Sequence, residues 1–185
     1  MTHDTNDIRT TFVFYAPERE PHVWALDLTG LGEALREPFP EVRYKVRQDR
    51  THQGEPYLSF WAGTEYDGTA TVTGRDCVML TDTTPGEAAT FLLWLRDSYL
   101  PAPDLIRFSS EPAVERGIET DWHLPADGDA WRLADELRHH LAVVHGEGEP
   151  VSVEVLTDHG PGLEARPTDS AGCAPARRPR PATRT

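Results

Sequence analysis

The chain has 185 residues, 38% of them apolar and 26% charged, and its 31 acidic against 18 basic side chains give a formal net charge of −13. A chain of this size is one domain, able to bury roughly 70% of the surface its unfolded form exposes, and five Trp add large buried areas, which argues against wholesale disorder. Charge of this sign disfavours phosphate backbones and anionic membrane surfaces as partners and attracts cationic proteins, although acidity also serves plain solubility.

Residues 1–9 are polar and acidic and are expected to be disordered; they lack the basic and apolar regions of a signal peptide. Thr10–Ala16 is a β-branched and aromatic run closed by Pro17, which predicts a strand. His22–Leu28 alternates Trp24, Leu26 and Leu28 with Val23, Ala25 and Asp27, and this period of two predicts a second strand, able to form a hairpin with the first. A short helix follows over Thr29–Glu37, stopped by Pro38 and Pro40.

In Glu41–Arg47, Val42, Tyr44 and Val46 alternate with Arg43, Lys45 and Arg47. That pattern predicts a half-buried strand, apolar on one side and cationic on the other, and it is the one basic row in an acidic body. Tyr57–Ala62, Thr69–Thr73 and Cys77–Thr81 are further strands separated by turn residues, an antiparallel meander.

Thr84-Pro85-Gly86-Glu87 matches a capping box, with Thr as the N-cap and Pro at the first helical position. The helix it opens runs to about Tyr99, with Ala88, Phe91, Leu92, Leu95 and Tyr99 on one face. Asp104–Ser109 is a short apolar strand, Ser110–Thr120 is irregular, and Trp122 and Leu124 mark an extended piece. Asp127 or Asp129 caps a last helix, Ala130–Val144, whose core stripe is Ala130, Leu133, Ala134, Leu137, Leu141 and Val144. Val151–Leu156 alternates as an edge strand would, and the Pro-, Ala- and Arg-rich end that follows predicts a disordered tail.

The expected organisation is therefore a disordered start at 1–9, one acidic α+β domain at 10–158, and a disordered tail at 159–185. Short strands with segregated helices imply a mostly antiparallel sheet with two main helices packed on one face.

Chemistry-bearing motifs are weak. No Gly-rich phosphate loop follows a strand, so no nucleotide site is expected. His139, His140 and His145 cluster near a helix end, and Asp135 and His139 share a helical face, but an ordinary solvated helix end explains them as well; no metal and no cofactor is expected. Ser109, Ser110 and Glu111 with Glu119, Asp121 and His123 hold the residue types of a hydrolase, yet no spacing fixes their geometry and no nucleophile elbow is present. Cys77, next to Asp76 in an apolar strand, is expected to be a packed, inert thiol. Two Cys, Cys77 and Cys173, make neither a disulfide framework nor a metal-ligand pattern, which fits a reducing, cytoplasmic setting. No apolar run approaches the ~18 residues of a membrane span.

What remains is binding. Trp122 within the acidic segment Glu111–Pro125 has the make-up of an aromatic anchor for a basic partner, or of an indole folded back over the sheet. The sequence thus favours an acidic protein-binding module of the immunity-protein or antitoxin kind, which occludes the active site of a basic, toxin-like protein. Glu111, Glu115, Glu119, Asp121 and Trp122 are the expected contact surface. Two alternatives stay open: a small enzyme with its site around His123, and a ligand-binding or regulatory homodimer.

Overall fold

The computed structural model describes residues 7–48, 54–63, 65–118 and 122–146. Seven strands form one antiparallel sheet: β1 (Thr10–Tyr15), β2 (Arg43–Gln48), β3 (Pro56–Ala62), β4 (Tyr66–Thr71), β5 (Cys77–Thr83), β6 (Arg107–Ser110) and β7 (Trp122–His123). Their spatial order is β2-β3-β4-β5-β1-β6-β7. The predicted meander is β3–β4–β5, paired in continuous register. β1 then enters between β5 and β6, so the N-terminal strand lies well inside the sheet.

Alternation sorts the side chains onto two faces. Phe12, Phe14, Leu58, Phe60, Ala70, Val78, Leu80 and Phe108 are fully buried on the inner face. Helices α1 (Leu28–Ala34), α2 (Pro85–Trp94) and α4 (Ala130–His145) supply the other layer of this α+β fold, and the five-residue α3 (Glu111–Glu115) follows β6 directly. Phe91 of α2 stacks on Phe60 with centroids 5.7 Å apart, and Leu133, Leu137 and Leu141 of α4 are fully buried. The capping box at Thr84 is formed reciprocally: the Glu87 amide donates to Thr84 Oγ1 and the Thr84 amide donates to Glu87 Oε2. Asp129 caps α4 by accepting from the Arg132 amide.

The main local correction is His22–Leu28, which is no strand and makes no hairpin. Trp24, Leu26 and Leu28 are indeed buried, but from turns and the start of α1. The buried Asp76 organises this stretch from 50 residues away, accepting from the Leu26 amide at 3.3 Å and contacting His22 Nδ1 at 3.1 Å. Trp24 Nε1 donates to the Leu105 carbonyl at 3.0 Å. Asp27 caps α1, accepting from the Gly30 amide at 2.8 Å.

Three smaller differences remain. α2 ends at Trp94 and continues as a π-helical turn, Leu95–Tyr99, from which the buried Arg96 points inward. Glu111–Glu115, expected to be irregular, is a helical turn started by Pro112. Within 1–9, Arg9 is anchored at 3.3 Å to Asp82 and at 3.1 Å to Glu87. The expected edge strand Val151–Leu156 and the tail 159–185 lie outside the described residues. No helix among the described residues is long and apolar enough to cross a membrane.

Candidate functional site

The nominated hydrolase set is divided by the sheet. Ser110 is fully buried on the inner face, with its Oγ 2.9 Å from Nε2 of the equally buried His140. His123 is paired in register with Arg107, and Ser109 with Val13, on the outer face. Glu119 and Asp121 lie outside the described residues. The three histidines of α4 also diverge. His140 points into the core, His139 is exposed with its ring centroid 5.6 Å from that of Trp122, and His145 Nδ1 donates to the Leu141 carbonyl. Among the described residues, no three His, Cys, Asp or Glu side chains converge as a metal site.

Trp122 is half-buried. Its ring lies 4.8 Å from His140 and 6.2 Å from Phe108, so it packs on the sheet and α4. Glu111 and Glu115 stand one turn apart on α3, both exposed, beside Val114 at 66% exposure. Cys77 faces the outer side of β5, and burial pushes its thiol up to about 11.

The exposed tryptophan is Trp131, at 73% exposure in the first turn of α4. Its position was legible, because it falls off the apolar stripe that begins at Ala130. Asp127, Asp129, Asp135 and Glu136 surround it in sequence, and Asp135 lies one turn along the same helix face. Arg138 stands over the indole at 5.4 Å and 3.9 Å from Asp135. The loop leading into this turn is held by Arg96, which donates to the carbonyls of Pro125 (3.1 Å), Asp127 (3.0 Å) and Gly128 (2.7 Å). Asp97 pairs with the same guanidinium at 2.5 Å, and that pairing holds its carboxyl below the usual range. A buried cation thus fixes the loop that leads into the turn carrying the exposed Trp131, where Asp127 pairs with Arg132 and Asp135 with Arg138.

The outer face of the sheet has a different character. One cross-strand row runs Arg47, Tyr57, Thr71, Cys77, Tyr15, Arg107; the next runs Lys45, Ser59, Thr69, Met79, Val13, Ser109. Two carboxylates lie on these strands, Asp67 of β4 and the exposed Asp82 at the bulged end of β5. A groove of about 950 Å³ is lined by Val13, Tyr15, Arg107 and Ser109 together with Glu18, Arg75 and, from α3, Val114. Tyr, Trp, Met and Arg are the residues enriched at the centres of protein interfaces.

No protein family, curated protein or solved structure matches the chain.

Proposed function

We propose that this chain is a protein-binding module that neutralises a basic protein by covering its cationic site, in the manner of a cytoplasmic immunity protein or antitoxin. The observation that carries the reading is Trp131, largely exposed at the start of a helix whose entry loop Arg96 fixes, with Asp127, Asp129 and Asp135 close to it in sequence. An exposed aromatic side chain on a backbone that is already set is suited to be an interface hot spot. The surrounding carboxylates steer a cationic partner and meet the basic groups that would otherwise hold phosphate or another anion. Glu111 and Glu115, with Glu119 and Asp121, form a second acidic segment that belongs to the same proposal.

The test is capture of a partner from the native extract on the full chain, followed by measurement with the purified pair. A basic, stoichiometric partner that releases at high salt is expected. Trp131→Ala should weaken it by about 30-fold, the equivalent of a 2 kcal/mol hot spot. Reversal of Glu111 and Glu115 to Lys should weaken it less, mainly by slowing association. Undiminished binding by Trp131→Ala would remove Trp131 as the anchor. A larger loss from the Glu111 and Glu115 reversal would move the contact surface to α3.

A further inference from the structure

β2 is an edge strand. Its neighbour β3 pairs with all six of its residues, from Arg43 opposite Trp61 to Gln48 opposite Pro56, and no bulge interrupts the ladder. On its other side no described residue pairs with it. The opposite edge of the sheet, β7, is only two residues long, so β2 offers the one extended edge among the described strands.

Natural sheets guard such edges with proline, bulges, charged side chains or a covering element. β2 has no proline and no bulge within Arg43–Gln48; its guard is a row of cations on one face, which turns away like charge and leaves the edge open to a strand of opposite sign. Arg43, Lys45 and Arg47 are all exposed, and none pairs with a carboxylate among the described residues. Arg9, Arg36, Arg96, Arg132 and Arg138, by contrast, each reach one. In a chain with far more acids than bases, three cations along one strand face with no carboxylate partner among the described residues stand out. On the inner face Tyr44 rests against α1, where Gly32 leaves room for its ring, while Val46 is 44% exposed at the open side.

The charge pattern selects among occupants. Antiparallel pairing of β2 with β2 of a second copy would set Arg43 against Arg47 and Lys45 against Lys45, and like charges directly opposite destabilise a strand pair. An acidic strand reverses the sign at every one of those positions. We propose that the free edge of β2 accepts an extended acidic segment of a partner protein as an added strand. Its carboxylates would sit at alternate positions facing Arg43, Lys45 and Arg47, and an apolar side chain between them would cover Val46. Main-chain hydrogen bonds supply the affinity and the alternating side chains the selectivity. A single-stranded nucleic acid could also meet cations beside Tyr57 and Trp61, but the strongly negative body repels a phosphate chain.

The experiment uses the isotope-labelled full chain and three probes: a synthetic peptide of alternating Asp and Val, its Lys and Val twin, and an oligo-dT strand. Amide exchange across β2 and binding by anisotropy are the readouts. The Asp peptide should slow exchange of alternate amides within Arg43–Gln48 and bind at least tenfold more tightly than its Lys twin. Combined Arg43→Glu, Lys45→Glu and Arg47→Glu should invert that preference and let the Lys peptide slow the same β2 amides, a protection an unfolded variant cannot show. Equal binding of the two peptides, binding without slowed β2 exchange, no binding of either, or tighter binding of oligo-dT would each overturn the proposal.

Discussion

His140 makes the fold acid-sensitive in a calculable way. Its ring is fully buried between Phe108 (5.1 Å) and Trp122 (4.8 Å), and Nδ1 has no hydrogen-bond partner among the described residues. Protonation would put a charge, and an N–H without an acceptor, into an apolar site. Burial, and secondarily His139, therefore lower its pKa from 6.5 to about 4. The unfolded chain binds this proton more readily than the folded one, so His140 contributes fully to stability above its unfolded value of 6.5, and the contribution is lost as pH falls towards about 4. At 1.36 kcal/mol per unit, the contribution is about 3 kcal/mol in full, most of it gone by about pH 4.5. The comparison is the double variant Ser110→Ala with His140→Leu, which replaces both hydrogen-bond partners by apolar groups and should be within about 1 kcal/mol of the parent at neutral pH. Urea unfolding of both proteins from about pH 7.5 to 4.5 should then show the parent losing about 2.5 kcal/mol more than the variant. Other titrating groups cancel in that difference. Parallel profiles would refute the reasoning, because they would mean that His140 accepts its proton in the folded state at no extra cost.

Two further outcomes follow from packing. Arg96→Met should destabilise the fold by about 3 kcal/mol, because the carbonyls of Pro125, Asp127 and Gly128 lose their shared donor, and calorimetry of the single variant checks it. Gly68→Ala should cost about 1–3 kcal/mol in chemical unfolding, since a Cβ on Gly68 would lie 2.2 Å from Cζ of the buried Phe60 ring, which is itself stacked on Phe91.

These contacts also mark where sequence reasoning stops. The capping box at Thr84, the core stripe of α4 and the meander are set by neighbours within a few residues, so periodicity and cap chemistry reveal them. The stretch His22–Leu28 failed because burial at alternate positions is a symptom that strands and turns share. What decides between them is the Asp76 carboxylate, remote in sequence, which satisfies the Leu26 amide. The same holds for the surfaces. The alternation of Arg43, Lys45 and Arg47 was plain, but that β2 is an edge depends on β1 entering the sheet between β5 and β6, a fact of strand order that no local pattern carries. Trp122 drew attention through its acidic neighbours, whereas its ring is directed by the β6–β7 pairing towards α4. Trp131 carried the clearer signal, a large apolar side chain off its helix's apolar stripe.

The two proposed surfaces differ in sign, and their response to salt should differ in kind. A cationic partner approaching Trp131 is attracted both by nearby carboxylates and by the net charge of −13, so its association rate should fall steadily as salt rises. An acidic segment approaching β2 is attracted by three cations at contact and repelled by the rest of the body at range. At about 0.01 M salt the screening length is about 30 Å, which spans a domain of this size, and the repulsion is felt in full. Near 0.1 M it shrinks to about 10 Å, so the distant acids are screened while cations in contact are not. Stopped-flow association of the Asp–Val peptide should therefore pass through a maximum at intermediate salt. A monotonic fall would mean that the cationic row governs approach at every distance, and a monotonic rise would mean that it contributes nothing to approach.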